Sequence, residues 1–241
     1  MPFSAGPLIK RVLFATRRRD VSAGSFPGEW RRAFSVSVDA PTSARPVRVA
    51  LCTVRPDVTP HPRHDGIGLE WFVDSEHLAR YESWLSASGG AGRLERAVDP
   101  DRSPVVIADE HVMRGAEWLT RRWTHGGVKL KHMAIARRAA GLTLAEFFDL
   151  WRSRAGRIGG VVIPDEARGL AYVQNWPQEH AGNWAYDALN EVYFDQTDLA
   201  GLQTRIAYFQ DTLGDRTEDD LVSESWFVAA EEEVLLESDR S

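Results

Sequence analysis

The sequence predicts an α+β protein in which two βαββαβ repeats close a barrel within one chain. Three observations point there. A pattern recurs at a spacing of about 121 residues: His64–Phe72 aligns with Tyr186–Phe194, Trp30 with Trp151, and Val105–Glu110 with Phe227–Glu232. Arg18 and Arg19 align with Arg137 and Arg138 at a slightly shorter spacing. Short apolar runs and helical stretches follow the same order in both halves, as internal repetition requires. Nine tryptophans and ten phenylalanines, many of them on these runs, need more buried surface than one sheet and two helices supply.

In the first half, Ile9–Arg17 reads as a strand and a helix runs from about Ser25 to Val36. Val47–Val54 and Gly66–Val73 are strands, Ser75–Ala87 is a helix, and Pro104–Met113 is the last strand. Ser88–Ser103, rich in glycine and charge, reads as a mobile loop. Gly115–Gly127 links the halves, and its Trp118, Leu119 and Trp123 are too apolar for a free tether, so it is expected to pack across the seam.

In the second half, Val128–Arg138 is bounded by glycines and reads as a strand. Thr143 with Glu146 three residues on is a capping box, and Leu144, Phe147, Phe148 and Trp151 follow at helical spacing. Gly169–Trp176 and Ala188–Phe194 are strands. Thr197 or Asp198 caps a helix with Leu199, Leu202, Ile206 and Phe209 on one face, ended by Gly214, and Val222–Leu236 is a long final strand. The order is that of the ferredoxin-like unit, an antiparallel sheet with helices on one face. Both faces of these strands carry apolar residues. The expectation is therefore two fused ferredoxin-like repeats, 1–114 and 128–241 with linker 115–127, whose sheets pack face to face as an intramolecular α+β barrel.

Composition narrows the function. A net charge of −6 without a basic stripe argues against nucleic acid or an anionic membrane as partner. No apolar run approaches the 20 residues or so of a membrane span. The lone Cys52 lies in an apolar stretch and reads as a small core residue in a reducing compartment, which with the absence of a leader pattern suggests a cytoplasmic protein. There is no zinc-ligand spacing, no glycine-rich phosphate loop and no nucleophile elbow, so the expected cofactor is none and the expected metal is none.

Polar residues on the second-half strands are the candidate chemistry. His132 shares a strand face with Leu130 and Ala134, and an imidazole is easily tuned as acid or base. Tyr172 and Gln174 point the same way on the next strand and offer donors to a developing oxyanion. Asn190 and Glu191 sit mid-strand, where a charge needs a partner, and Arg137 is one available to Glu191. Trp184 lies in a loop that reads as a lid or a homodimer contact. Trp151 and Trp226 add aromatic surface for a substrate.

Gly141–Phe147, Trp151, Gly169–Asn175 and Tyr186–Asp195 together resemble an EthD-type domain of the dimeric α+β barrel superfamily. The resemblance covers nearly all of the second half and only Trp30 and His64–Asp74 in the first. The family usually carries Trp-x-x-His at the end of its first helix. Here Arg154 stands at that histidine's place after Trp151, and Ala33 after Trp30. An arginine is no general base, but it binds a carboxylate or an enolate. Members of the superfamily include cofactor-free monooxygenases and cyclases of polyketides, lactone isomerases, decarboxylases and some haem enzymes, with the ligand between one sheet and its helices. The resemblance, with Arg154, implies a cofactor-independent lyase, a decarboxylase or dehydratase of a hydrophobic aromatic small molecule. In that expectation His132 moves the proton, Arg154 holds the acidic group, and Tyr172 and Gln174 orient an oxygen. The alternatives are a cofactor-free monooxygenase or cyclase of polyketide-like aromatics, and a non-catalytic binding protein.

Overall fold

Alternation in the first strand places Lys10, Val12 and Phe14 on one side and Ile9, Arg11 and Leu13 on the other, and both sides are buried. A sheet buried on both faces needs two partners, and this architecture supplies them. The structure, a computed structural model, describes residues 7–59, 62–153, 157–158, 161–179, 184–213 and 221–237. In chain order its strands and helices are β1 (Ile9–Ala15), α1 (Phe26–Phe34), β2 (Arg48–Val54), β3 (Gly66–Phe72), α2 (Ser75–Ala87), α3 (Gly90–Leu94), β4 (Val105–Arg114), α4 (Ala116–His125), β5 (Val128–Arg138), α5 (Leu144–Ser153), β6 (Arg157–Ile158), β7 (Val161–Val162), β8 (Ala171–Pro177), β9 (Ala188–Phe194), α6 (Leu199–Leu213) and β10 (Val222–Glu237).

Eight strands close a barrel in the order β1-β3-β2-β10-β5-β9-β8-β4, and every neighbouring pair is antiparallel. The first four strands lie in the order β4-β1-β3-β2, and the last four in the order β10-β5-β9-β8. Two seams join these quartets, β2 to β10 and β4 to β8. The helices lie outside the barrel, apart from α4. The protein is thus an α+β barrel closed within one chain. Among the described residues no helix is long and apolar enough to cross a membrane.

Inside the barrel, Val12, Phe14, Cys52, Ile67, Leu69, Met133, Ile135 and Val228 form an apolar core drawn from both quartets. At one level this core gives way to charge. Lys10 Nζ lies 2.5 Å from Glu110 and 2.7 Å from Glu191; Lys131 Nζ lies 2.6 Å from Glu191 and also pairs with Glu232; Arg122, from α4, reaches Glu232 at 3.3 Å. Three cations thus balance three carboxylates. Asn175 and Tyr193 also donate to Glu191, at 2.7 and 2.8 Å, and Trp71 Nε1 donates to Glu110 at 2.7 Å. Lys10, Lys131, Glu191 and Glu232 are fully buried, a state such charges tolerate only when paired and hydrogen-bonded. Burial alone would raise the Glu191 carboxyl, but Lys10 and Lys131 outweigh it and hold it well below the usual range.

The stretch 115–127 packs against the barrel, as its apolar residues require: it carries the helix α4, whose Leu119 and Trp123 enter the barrel core at one end, with Trp123 against Trp71 and Tyr193. Two local expectations change. Ser88–Ser103 is ordered by the short helix α3 and a 3-10 turn, because Leu94, Ala97 and Val98 bury themselves against α1 and α2. The partners of Glu191 are lysines 10 and 131 inside the barrel, whereas Arg137 donates to the carbonyl of Ala185. The capping box holds as expected: Glu146 N donates to Thr143 Oγ1 at 3.2 Å and Thr143 N to Glu146 at 2.9 Å.

Candidate functional site

The site begins with strand phase. On β5, Lys131 and Met133 face the barrel interior, so His132 faces the helices. By the same alternation β8 turns Tyr172, Gln174 and Trp176 outward, and β9 turns out Asn190 and Val192. Register then sets the spacing: Tyr172 pairs with Val192, and Val192 with His132, so phenol and imidazole lie in one cross-strand row, two strands apart. Gln174 and Asn190 pair in the next row, and α5 places Trp151 over it, with Nε1 donating to Asn190 Oδ1 at 3.1 Å.

Helix α6 completes the site. Asp198 caps it, accepting from Gly201 N at 2.9 Å, and Arg205 falls between the buried Leu202 and Phe209, on the face turned to the sheet. Arg205 Nε donates to His132 Nδ1 at 3.0 Å, and Nη1 donates to the Ala167 carbonyl at 2.7 Å. The imidazole lies between Phe227, 5.2 Å away and stacked, and Phe209, 5.5 Å away. His132 is 1% exposed and Arg205 5%. Burial, and then the charge of Arg205, hold His132 well below its ordinary pKa, so it is neutral. Burial, with Arg114 nearby, lowers Arg205 to about 10, still cationic at neutral pH. Among the described residues no carboxylate pairs with it.

Two proton positions follow from these contacts. Because Nδ1 accepts from Arg205, the imidazole proton sits on Nε2, and Nε2 is buried without a partner among the described residues. Trp176 Nε1 can only donate, and it meets Gln174 Oε1 at 3.1 Å. The Gln174 amide nitrogen must then face Tyr172, to whose hydroxyl oxygen it donates at 2.8 Å. The Tyr172 oxygen is thereby occupied as acceptor while its own proton stays available. The site therefore offers two hydrogen-bond donors and a nearby cation. That combination stabilises an oxyanion and is a poor proton shuttle.

The structure brings His132, Tyr172, Gln174, Asn190 and Trp151 to this outer face. It does not bring Glu191 or Trp226 there. Glu191 lies in the barrel network. Trp226 sits at the opposite end of the barrel from α4, with its ring centroid 4.5 Å from Tyr186, under Arg63. Trp184 lies where the barrel core meets the first-half core, and its Nε1 donates to the Gln178 carbonyl at 2.7 Å. Arg154 lies outside the described residues. Sequence reasoning missed Arg205. The signal for Arg205 was present, since it falls three residues after Leu202 and four before Phe209, within the apolar stripe.

The corresponding face of the first quartet is filled. Gly66 and Gly68 on β3 let α1 lie directly on the sheet: a side chain at Gly66 would meet Trp30, and one at Gly68 would meet the ring of Phe34. On β9 the positions 122 residues later are Ala188 and Asn190.

No protein-family model matches the chain, and no curated protein matches it. Solved structures do. A Fusobacterium nucleatum protein described as a "putative monooxygenase" aligns over 98% of this chain and 96% of its own, with TM-score 0.53 and 12% identity. A protein described as "anthrone oxidase-like" aligns over 96% of this chain and 94% of its own, with TM-score 0.62 and 12% identity. The expectation of a lyase is overturned by this finding, because the neighbours carry the names of a monooxygenase and an oxidase and neither is described as a decarboxylase or dehydratase. What the chain shares with these proteins is the α+β barrel fold.

Proposed function

We propose that this chain is a monooxygenase-type enzyme that oxidises an electron-rich aromatic small molecule, without metal, nucleotide or flavin, on the helix-facing side of its second half. The observation that carries this reading is the buried Nε2–H of His132, which has no partner among the described residues and is fixed in that tautomer by Arg205. A phenol or enol that enters the site places its oxygen against Nε2–H and the Tyr172 hydroxyl. As the substrate gives up its proton to solvent on entry, these donors and the Arg205 charge stabilise the oxyanion, and an electron-rich enolate can react with dioxygen. For a ring methylene converted to a carbonyl the balance closes with one O2. One oxygen atom enters the carbonyl, the other leaves as water, and all four electrons come from the substrate. The names of the two structural neighbours agree with this class of reaction.

The same reading takes the chain as a tandem duplication of a ferredoxin-like unit, 1–114 and 128–241 joined through 115–127. The identical strand order of the two quartets supports it. So does a repeated clamp. Arg17 N donates to Asp65 at 2.9 Å while its side chain pairs with the same carboxylate, and Arg138 N donates to Asp187 at 3.0 Å while its side chain does likewise. The spacing of these clamps is 121 and 122 residues, so Arg17, rather than Arg18 or Arg19, is the counterpart of Arg138. On this view the first half keeps a closed face and the second keeps the site.

The test is oxygen uptake by the purified chain given an anthrone. One O2 consumed per quinone formed, lost in His132→Phe and Tyr172→Phe, is expected. No uptake, or uptake indifferent to both substitutions, overturns the proposal.

A further inference from the structure

The two outer faces differ in one respect that bears on the ligand. In the first half, Arg11 on β1 pairs in register with Glu70 on β3 and its Nη1 donates to that carboxylate at 2.6 Å. The other Glu70 oxygen accepts from Ser37, at 2.5 Å, and from the Tyr81 hydroxyl of α2. This carboxylate is fully buried, so the face carries its own anion, held by a cation and two hydroxyls. In the second half the same register positions hold His132 and Val192. Helices α2 and α6 align through their Asp74 and Asp198 caps, which puts Arg205 at the place of Tyr81. The cation has moved from strand to helix, and the carboxylate has become a valine. What remains, among the described residues, is a buried guanidinium without a carboxylate beside a buried imidazole N–H without an acceptor. A buried charge left uncompensated is costly, and an incoming anion removes that cost.

We propose that the second-half site binds an organic oxyanion, an aromatic carboxylate or phenolate, in the role that the Glu70 carboxylate fills in the first half. This rests on the location assigned above but not on oxygen chemistry. The anion accepts from His132 Nε2–H and lies within the field of Arg205. A neutral isostere gains neither a charge-assisted bond nor compensation of the cation.

Binding to the intact chain tests it, with two probes and their neutral isosteres. 1-Naphthoate is compared with 1-naphthamide by calorimetry. 4-Nitrophenol, whose phenolate alone is yellow, is compared with 4-nitroanisole by absorbance and calorimetry. At least one anion is expected to bind about 10- to 100-fold more tightly than its isostere. Preference for naphthoate alone identifies a carboxylate site. A yellow bound form at a pH where free 4-nitrophenol is colourless identifies a phenolate site. Arg205→Met is expected to erase the preference, and Val192→Glu, which restores an internal carboxylate, to abolish anion binding. Should Val192→Glu fail to fold, Arg205→Met decides alone, because an apolar replacement of a buried cation that pairs with no carboxylate among the described residues leaves no partner charge orphaned there. Equal binding of anion and isostere, or no binding of either anion, overturns the inference. Anion preference without oxygen uptake overturns the proposed reaction and leaves this inference standing. Oxygen uptake with no anion preference does the reverse.

Discussion

Arg205 Nε meets His132 Nδ1 at 3.0 Å, and this one hydrogen bond fixes what the imidazole can do. With Nδ1 occupied, Nε2 carries the proton and acts as donor. Replacing Arg205 by methionine frees Nδ1 and removes the charge that, after burial, depresses the imidazole. Turnover is expected to fall by about 100-fold or more, the usual cost of losing an oxyanion-stabilising group. The His132 pKa is expected to rise while burial still holds it below its ordinary value, read by the pH dependence of its ring proton resonances. An unchanged His132 titration would contradict the assignment.

The barrel network makes acid stability depend on Glu191. Its carboxyl titrates well below 4.5 when folded, because Lys10 and Lys131 outweigh its burial. A depressed carboxyl contributes stability that is fully present above its unfolded value and is lost as pH falls through the folded one. Stability of the native chain is therefore expected to decline below about pH 4.5. Glu191→Gln is expected to lose about 3–5 kcal/mol at neutral pH, since both lysines keep a buried charge with one partner fewer, and to flatten that acid decline. Urea unfolding at a series of pH values reads both effects.

A second pH effect has the opposite chemistry and the same sign. His64 Nδ1 meets Thr16 Oγ1 at 2.8 Å and Nε2 meets the Tyr186 hydroxyl at 2.5 Å. Since Thr16 donates its own proton to the Arg102 carbonyl, it accepts from Nδ1–H, and Tyr186 donates to Nε2. Burial first, and then Arg63, lower His64 from 6.5 to about 4. The unfolded chain takes up a proton below pH 6.5 that the folded chain refuses until about pH 4, so the His64 contribution to stability falls across that window and levels below it. His64→Phe is expected to lessen this slope without abolishing it, since burial and Arg205 hold His132 below its ordinary pKa as well, measured by the same unfolding series. A slope unaltered in the variant would assign it elsewhere, with His132 the first alternative.

Packing separates the two outer faces. Gly68→Ala drives a methyl group into the Phe34 ring and is expected to cost about 1–3 kcal/mol in thermal unfolding. It should leave ligand binding in the second half unchanged, since β3 and α1 contribute nothing to that site. Loss of binding in this variant would place the ligand on the first-half face.

Much of the barrel was legible in the chain itself. The Thr143–Glu146 box and the Asp198 cap gave two helix starts, and apolar residues on both phases of each strand called for a second layer on either side of the sheet. What the sequence concealed was partnership over distance. Glu191 finds Lys10 181 residues away, and neither lysine declares itself buried by residue type, although Lys10 and Lys131 each stand in phase with core residues of their strands. Arg205 was hidden for a related reason, as a charge inside an apolar helical stripe reads as an interruption until the helix is laid on its sheet. The loop Ser88–Ser103 misled through its glycines, because Leu94, Ala97 and Val98 suffice to anchor it.

The location of the site is tested most directly by a crystal structure with the quinone product of an anthrone bound. The ring system is expected between α6 and strands β5, β9 and β8, with a carbonyl oxygen within about 3.2 Å of His132 Nε2. A product seated on the first-half face, or at the Tyr186 end of the barrel with His132 Nε2 still unpartnered, would contradict the account.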